Sequence, residues 1–382
     1  MLILFISNYF NHHQKPFSDF MYKNTNKNFV FIETAEISEE RKKLGWGYNN
    51  YPNYVIKYQN VQEINEIIDK ADIVIIGSAP IKLVKNRIKK NKIVFKYSER
   101  PLKNNNIVKF LPRFIKWNYQ NPRNKNIYML SASAYAAYDY SKFGLFKNKC
   151  YKWGYFPQAN KHENIEQLIG KKNKNSILWV ARFIEWKHPE IIIEISKMLI
   201  KDNYNFELNM IGNGELLDNI KELVKINNLE KNVHLLGAMK PEEVRKYMEE
   251  SEIFLFTSDR GEGWGAVLNE SMNSACAVVA SHEIGSVPFL IKNKENGLIY
   301  KDGDINSLYK KVKFLIDNEK ERKQIAKNAY LTMINEWNAE NAANRLLQLS
   351  EKLLNGEKYP DLFKDGVCSK AEIIKDNWFE DE

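Results

Sequence analysis

Two glutamates, Glu262 and Glu270, stand eight positions apart around the flexible stretch Gly263–Gly265. The apolar run Ile253–Phe256 before them predicts a buried strand, and the residues from Ala266 to Ala275 are typical of a helix. Glu262 is therefore expected on the loop at the carboxyl end of a strand, and Glu270 about two turns into the next helix. Ligands of open α/β sheets bind at that edge, where two carboxylates can accept hydrogen bonds from vicinal hydroxyl groups. A surface helix with two solvated acids has the same spacing, so the pair alone decides nothing.

Two cations lie five positions apart in an earlier connection between a strand and a helix. The sequence from Ser176 predicts a buried strand ending in Arg182, which is followed by a short turn with Lys187 and by a helix from Pro189. An arginine fork and a lysine point charge at the carboxyl end of a strand suit a diphosphate. A solvated pair flanking a turn is the alternative interpretation.

Glycines mark the next such connection. A strand predicted from Phe206 runs into the turn Gly212-Asn213-Gly214 and a helix, and a further strand ends at Gly237. Backbone without side chains can approach a ligand closely, although a tight turn between a strand and a helix needs glycine in any case. The glycine turn is therefore weak support for a ligand site when it stands by itself.

In this order and spacing, the segments between residues 176 and 352 resemble the nucleotide-sugar domain of the family-4 glycosyltransferases, which have the GT-B fold. The resemblance implies that Arg182 and Lys187 bind the donor diphosphate and that Glu262 meets hydroxyls of the donor sugar near the reacting centre. These three are the implied catalytic residues. The other donor-binding residues that it implies are Gly212, Gly214, Leu236, Gly263, Trp264, Gly265 and Glu270. Among them, Leu236 lies at the edge that contacts the nucleobase through backbone, and Glu270 holds the ribose.

Strands and helices alternate along the whole chain, which predicts parallel sheets with helices on both faces. Further apolar runs predict strands near Met1–Ser7, Phe29–Ile32, Tyr54–Lys57, Asp72–Ile76, Lys92–Lys96 and Ile127–Leu130. The expected fold class is α/β of the GT-B type, with two Rossmann-like domains facing each other across a cleft that holds the donor. The expected bounds are 1–160 for an acceptor-side domain, 161–336 for the nucleotide-sugar domain, and 337–382 for a C-terminal helix and tail that cross back to the first domain. A polar linker is expected at Pro157–Asn175.

The N-terminal half departs from the family pattern after its first strand. Relatives often place a glycine pair there, whereas the loop from Asn8 to Pro16 contains no glycine. His12, His13 and Lys15 are candidates to donate hydrogen bonds in its place, and His13 is also a candidate to contact the acceptor; a solvated histidine pair is the alternative. Glu99 and Arg100 stand where many relatives carry a histidine that faces the donor sugar, and they complete the acceptor-side candidates.

No metal or other cofactor is expected. The three cysteines lie far apart, outside any metal-ligand spacing, and are expected as reduced thiols of a cytosolic protein. Asp302-Gly303-Asp304 spells an acidic motif that some glycosyltransferases use for a metal, but its place before a predicted helix favours a turn with Asp304 as N-cap. Arg182 and Lys187 would neutralise the leaving diphosphate instead.

Charge is distributed unevenly along the chain. Residues 1–160 hold 26 Lys and Arg against 11 Asp and Glu, and the remainder holds 31 against 37, giving nets of +15 and −6 within the total of +9. Between Lys82 and Lys125 fourteen basic residues stand against one acid. Large apolar side chains are interleaved there: Phe110, Leu111, Phe114, Ile115, Trp117 and Tyr119. This pattern suits an anionic membrane surface; a solvated basic face is the alternative, and no nucleic-acid-binding signature accompanies the charge.

The predicted function is transfer of a hexosyl or N-acetylhexosaminyl unit from a nucleotide-diphosphate sugar to a glycan or lipid-linked acceptor in cell-surface polysaccharide synthesis. Retention of the anomeric configuration is implied by the family. No apolar run approaches the ~18–20 residues of a membrane span, so the protein is expected in the cytoplasm, peripheral at the inner face of the cell membrane. The alternatives are another GT-B enzyme, such as a sugar-nucleotide epimerase, and a non-catalytic GT-B subunit that binds a partner transferase.

Overall fold

The computed structural model describes residues 1–43, 47–48, 50–57, 61–103 and 110–380. The chain divides into two compact units. The first unit holds residues 1–158 and 337–375, and the second holds residues 159–336 and the chain from Asp376 onward. The segment 337–382, which the sequence suggests as one piece, is thus divided between the two units.

The first unit is built on a parallel sheet of seven strands. They are β1 Ile3–Ser7, β2 Phe29–Glu33, β3 Val55–Lys57, β4 Ile73–Ile76, β5 Val94–Ser98, β6 Ile127–Ser131 and β7 Cys150–Lys152. Their order in the sheet is β3-β2-β1-β4-β5-β6-β7. The central strands are rich in isoleucine, valine and phenylalanine and are buried, because helices cover both faces of a parallel sheet.

Six helices of the first unit alternate with these strands. They are α1 Lys15–Asn24, α2 Glu39–Lys43, α3 Val61–Lys70, α4 Lys85–Lys89, α5 Phe110–Gln120 and α6 Ala136–Ser141. The loop predicted at 8–16 is shorter than expected, since Pro16 stands in the first turn of α1, where its missing N–H is not needed. Pro112 likewise lies in the first turn of α5 and so does not interrupt that helix.

The second unit is built on a parallel sheet of six strands. They are β8 Asn173–Val180, β9 Glu207–Ile211, β10 Val233–Gly237, β11 Ser251–Phe256, β12 Ala277–Ser281 and β13 Leu298–Tyr300. Their order is β10-β9-β8-β11-β12-β13, so that the chain leaves β8 toward one edge of the sheet and returns at β11 to build the other edge. The carboxyl ends of β8 and β11 are therefore neighbours at the point where the winding reverses, which is where doubly wound sheets bind ligands.

Eight helices cover this sheet. They are α7 Ile165–Gly170, α8 Pro189–Lys201, α9 Leu217–Ile226, α10 Pro241–Glu250, α11 Ala266–Asn273, α12 Val287–Leu290, α13 Ile305–Asp317 and α14 Glu319–Asn335. The linker predicted at 157–175 is wrong in part, because it contains all of α7 and the start of β8. Asn164 begins α7 by accepting a hydrogen bond from the backbone N–H of Gln167 at 3.0 Å.

The last long helix, α15 Ala339–Leu354, belongs to the first unit and packs against α1. The chain after α15 then adds to the outer edge of β7: the N–H of Lys152 donates to Ser369 O at 2.8 Å, and the N–H of Ala371 donates to Cys150 O at 3.0 Å. The first unit is thus completed by residues from the far end of the chain. Among the described residues, no helix has the length and apolar character needed to cross a bilayer.

Candidate active site

Two loops leave the neighbouring carboxyl ends of β8 and β11 and lie side by side. The first loop carries Arg182 and a 3-10 turn at Glu185–Lys187, and the second runs from Thr257 to Gly265 before α11 begins. The N–H of Asp259 donates to Trp186 O at 3.1 Å and joins the two loops. Most of the residues that the sequence predicts for the donor site therefore share one edge of one sheet.

Lys187 and Glu262 form a buried ion pair across these loops. The Nζ of Lys187 donates to the Glu262 carboxylate, and each side chain is 11% exposed. Ser258 Oγ donates a longer hydrogen bond to the same carboxylate oxygen, at 3.4 Å. A buried charge is tolerated when it is paired, so each of these two groups is the partner that the other needs at this depth.

Trp186 holds a second cation beside this pair. Its ring lies 4.3 Å from Lys187 Nζ and 5.7 Å from the guanidinium carbon of Arg182. Arg182 itself is exposed to solvent. The aromatic face thus keeps both cations within reach of a single anionic ligand. Sequence reasoning passed over Trp186, although its position between two predicted phosphate-binding cations was a visible signal.

Thr257 fixes the backbone of Lys187 through a hydrogen bond. Its hydroxyl donates to Lys187 O at 2.7 Å and accepts a hydrogen bond from Trp179 Nε1 at 2.9 Å. Both Thr257 and Trp179 are buried, so this chain of hydrogen bonds connects the core of the sheet to the base of the lysine. The pair Lys187–Glu262 is consequently built on rigid backbone.

His188, the residue after Lys187, forms ion pairs with two nearby carboxylates. It has left-handed backbone, with φ at 52°, and its ring reaches Glu190 at 2.9 Å and Asp259 at 3.4 Å. The hydrogen bond with Asp259, followed by that with Glu190, raises the pKa of His188 to about 10. The ring is therefore protonated at neutral pH and ties the start of α8 to the loop that carries Glu262.

The glycine turn packs directly on the loop after β8. A Cβ on Gly212 would stand 1.9 Å from Ala181 O, and one on Gly214 would stand 2.4 Å from Phe183 O. The backbone of Gly212 also donates to Gly237 O at 2.9 Å, which places the end of β10 and Leu236 at the same edge of the sheet. Close backbone packing explains both glycines, and it brings this turn next to Arg182.

Gly265 sets the direction of α11. It has left-handed backbone, with φ at 82°, and a Cβ there would stand 2.4 Å from the ring of Phe256. Trp264 is fully buried, and its Nε1 donates to Asn269 Oδ1 at 2.9 Å. The side chain of Trp264 therefore packs against α11 in the core. In the predicted donor-binding stretch Gly263–Gly265, only backbone groups are then left to contact a ligand.

Glu270 lies further along α11, away from the ion pair. Burial raises the pKa of its carboxyl, and the charge of Arg245 acts in the opposite direction. Arg245 also donates to the carbonyl oxygen of Glu270 at 2.9 Å, which fixes this turn of the helix. Glu270 is thus held as a half-buried carboxylate on the same loop-helix element as Glu262.

The acceptor-side candidates belong to the first unit and fall into two groups. His12 and His13 have ring centroids 4.0 Å apart, and the His13 ring lies 6.1 Å from that of Tyr155. Tyr155 in turn donates to Glu99 Oε1 at 2.9 Å, so His13 and Glu99 share one neighbour. Burial, and then the charge of His12, lowers the pKa of His13, which makes its ring neutral at pH 7.

Arg100 is placed differently from what the sequence suggests. It is 2% exposed and pairs with the buried Asp139 at 3.4 Å, while its guanidinium lies over the Tyr135 ring at 4.6 Å. A cation so enclosed organises the loop after β5 and is not presented to a ligand. Position along the sequence could not distinguish Arg100 from its half-exposed neighbour Glu99.

Asp304 caps α13, as predicted, by accepting a hydrogen bond from the N–H of Ser307 at 2.9 Å. Asp302 accepts one from Ser281 Oγ at 3.0 Å. Each carboxylate of the acidic motif therefore has a structural hydrogen bond within the second unit.

Known proteins resemble this chain in sequence over the second unit. A sequence model of the glycosyl transferases group 1 family matches residues 160–332. An uncharacterized glycosyltransferase of Methanocaldococcus jannaschii is 33% identical over 43% of this chain and 45% of its own length. The N-acetylgalactosamine-N,N'-diacetylbacillosaminyl-diphospho-undecaprenol 4-alpha-N-acetylgalactosaminyltransferase of Campylobacter jejuni is 34% identical over 42% of this chain and 43% of its own length. The chain thus spans a little under half the length of these curated relatives.

Solved structures extend the likeness of fold to both units. The Anabaena protein HepE, crystallised with UDP, has a TM-score of 0.70 at 15% identity, over 93% of this chain and 100% of its own. The chain therefore has the GT-B fold, and its residues 160–332 match the glycosyl transferases group 1 family in sequence.

Proposed function

We propose that this protein is a retaining glycosyltransferase that moves a sugar from a nucleoside diphosphate to a glycan or lipid-linked acceptor. The observation that carries the proposal is the buried Lys187–Glu262 pair beside Arg182, at the edge where the winding of the second sheet reverses. A cation pair and a carboxylate at one point match the two halves of such a donor. The diphosphate is anionic, and the sugar offers hydroxyl groups.

The two cations act on the leaving group. As the bond between the anomeric carbon and the phosphate oxygen breaks, negative charge grows on the departing diphosphate. Arg182 offers a planar fork and Lys187 a compact charge, and both stand on the Trp186 ring. Preorganised charge of this kind is usually the largest contribution to catalysis. Arg182 and Lys187 thereby supply the neutralisation for which other transferases use a metal ion, and no essential metal is proposed.

Glu262 changes partner when the donor arrives. Without donor, its carboxylate neutralises Lys187. A diphosphate next to Lys187 gives the lysine a second anion, and a carboxylate oxygen of Glu262 then accepts hydrogen bonds from sugar hydroxyls. Glu262 in this way orients the sugar ring, and Glu270 on the same element accepts from the ribose. Retention, which the family implies, requires the acceptor hydroxyl to attack from the face that the diphosphate leaves.

The relatives indicate which substrates to test first. HepE of Anabaena binds UDP, so a uridine diphosphate sugar is the proposed donor. The Campylobacter jejuni relative is named for an acceptor on diphospho-undecaprenol, so a glycan on a polyprenyl diphosphate is the proposed acceptor class. Such an acceptor lies in a membrane. We therefore propose a peripheral location at the cytoplasmic face of the cell membrane, which the basic first half of the chain supports.

A nucleotide screen followed by a transfer assay tests the proposal. UDP should raise the melting temperature of the wild-type protein more than GDP or ADP does. Glu262→Gln should retain UDP binding and lose most of the transfer rate, because its partner is the sugar. Conversion of the donor without any acceptor would identify an epimerase instead. Absence of UDP, GDP and ADP binding would favour a non-catalytic subunit.

A further inference from the structure

Aromatic side chains along one face of helix α5 pack against the first unit. Trp117 packs against Tyr140 and Phe143, with ring centroids 5.3 and 4.7 Å away, and the Phe110 ring stacks on Phe143 at 4.7 Å. The sequence grouped Trp117 with the outward apolar residues, and the structure corrects this, because the indole faces the unit. The helix is therefore anchored along the line of Phe110 and Trp117.

The opposite face carries large apolar side chains into solvent. Leu111, Ile115 and Tyr119 recur every four residues, as neighbours on one helical face do, and they are 67%, 64% and 71% exposed. Of the thirteen large hydrophobic residues that are exposed in the described part of the chain, five lie on α5. Exposed apolar side chains are common singly, whereas a continuous row of them on one short helix marks an interaction surface.

Lysines border this row. Lys85 Nζ lies over the Tyr119 ring at 5.4 Å, and Lys85 and then Lys89 lower the pKa of the Tyr119 hydroxyl. Lys125 Nζ donates to Lys89 O at 3.2 Å, which joins the chain after α5 to α4. Lys116 is exposed on α5 itself. Apolar and cationic side chains therefore share one continuous surface.

Two basic residues of the predicted patch do not contribute to it. Arg87 is fully buried and donates to four backbone carbonyls, among them Ile68 O at 2.8 Å and Ala71 O at 2.6 Å. Arg100 is enclosed by Asp139. Lys109 lies outside the described residues. The cations that face solvent are thus fewer than the sequence suggests, and they are gathered around α4 and α5.

We infer that the α5 face, made of Leu111, Ile115 and Tyr119 with Lys85 and Lys89 beside them, inserts into the headgroup layer of an anionic lipid bilayer. A helix with an apolar row and flanking cations lies in the plane of such an interface, with its apolar side chains among the upper acyl chains. The lysines select anionic lipid, since phosphate headgroups carry the complementary charge. The inference rests on the proposed function for its biological sense, because it brings the enzyme to a membrane-embedded acceptor.

Vesicle co-sedimentation of the full-length protein tests this assignment without any transfer reaction. Wild-type protein should pellet with phosphatidylcholine vesicles that contain phosphatidylglycerol and remain in the supernatant with phosphatidylcholine alone. The double variant Leu111→Ser with Ile115→Ser should weaken the binding at least about tenfold, since it removes two apolar side chains that would be buried in the bilayer. Lys85→Glu with Lys89→Glu should weaken it by a similar factor at low salt.

Ile226→Ser is the matched control, because Ile226 is 65% exposed at the end of α9 in the second unit. It should bind vesicles like the wild type, and all variants should melt at the wild-type temperature. Unchanged vesicle binding in the serine variant would overturn the inference, as would a wild-type dimer that the same variant dissociates in light scattering. The UDP-induced rise in melting temperature, measured in parallel, separates the two proposals. Normal UDP binding without vesicle binding refutes only the membrane face, and the converse refutes only the donor site.

Discussion

The Lys187–Glu262 ion pair makes the two cations of the site unequal targets for mutation. Arg182 is exposed, so its removal leaves no charge without a partner. Lys187 is buried against a carboxylate, so its removal strands Glu262 in the interior. One cation can therefore report on ligand binding alone, whereas changes at the other also report on the stability of the fold.

Arg182→Ala should leave the melting temperature unchanged and weaken UDP binding. A charge-assisted hydrogen bond contributes about 1.5–3 kcal/mol, which corresponds to a ten- to hundredfold rise in Kd. Uridine should bind equally well to both proteins, because it has no phosphate. Titration calorimetry measures both ligands, and Lys221→Ala on α9 is the control for loss of one surface cation. Equal weakening of uridine and UDP would contradict the assignment of Arg182 to the diphosphate.

Lys187→Ala should lower the free energy of unfolding by about 3 kcal/mol, since removing one partner of a buried pair leaves the other unpaired. Lys187→Met combined with Glu262→Leu should recover most of that loss, because apolar side chains of similar size replace the pair. The double variant should nevertheless transfer no sugar. Urea denaturation gives the stabilities; a single variant as stable as the wild type would show that Glu262 finds another partner.

His188 gives the second unit a dependence on alkaline pH. Its pKa is raised to about 10 in the folded protein, against about 6.5 when unfolded. Its contribution is thus complete below about pH 6.5 and is lost as the pH rises toward 10. The free energy of unfolding should fall by about 1–3 kcal/mol over that range after allowance for solvent screening. His188→Asn keeps the left-handed backbone, which asparagine tolerates, and should remove this slope in urea denaturation.

At the scale of elements, the site is an edge where connections between strands and helices are packed backbone against backbone. The turn Gly212-Asn213-Gly214 lies on the loop after β8, and the N–H of Leu216 donates to Phe183 O at 2.9 Å. The position of Arg182 therefore depends on the glycine turn, which is distant from it in the sequence but packs against its loop.

Gly212→Ala should disturb that edge. Its Cβ would stand 1.9 Å from Ala181 O, and backbone cannot yield as a flexible side chain would. We expect a lower melting temperature together with weaker UDP binding. Gly170→Ala, at the end of α7, meets no atom within 4 Å and should change the free energy of unfolding by less than about 0.5 kcal/mol. If Gly212→Ala binds UDP as tightly as the wild type, the two loops are not coupled.

Elements with strong apolar runs were predictable, and those set by tertiary contacts were not. The run Ile253–Phe256 predicts β11 because four consecutive apolar residues are typical of a strand that is buried on both faces of a parallel sheet. β7 was missed, since only three residues join the sheet and its outer edge is paired by chain from beyond residue 360. Site residue types were visible in the sequence. The pairing of Lys187 with Glu262 and the enclosure of Arg100 were not visible, because exposure and distance arise only on folding.

At the scale of the whole molecule, charge is divided between the two halves of the chain. Residues 1–160 carry a net +15 and the remainder a net −6. If α5 docks on anionic lipid as proposed, the electrostatic attraction acts on the half of the chain that carries α5. Electrostatic attraction of this kind is screened within about 8–10 Å at ordinary ionic strength.

Salt should therefore affect a membrane-embedded acceptor and a water-soluble acceptor differently. With a polyprenyl-diphosphate acceptor embedded in anionic vesicles, the apparent KM for the acceptor should rise several-fold between 50 and 500 mM salt. With a short-chain acceptor dissolved in water, the same increase in salt should change that KM far less. Initial-rate assays at saturating donor make the comparison. An equal effect on both acceptors would place the salt dependence in the active site and not at the membrane.

The return of the chain to the first unit has a consequence for synthesis on the ribosome. All six strands of the second sheet have been made by Glu336, whereas the first unit at that point still lacks α15 and the segment that pairs with β7. Until Ser369 and Ala371 emerge, β7 presents an open strand edge, which is a template for association with other chains. The first unit, whose strands are translated first, therefore cannot finish folding until the chain near Ala371 has emerged, and chains released before residue 370 should aggregate even though all six strands of the second sheet have been made.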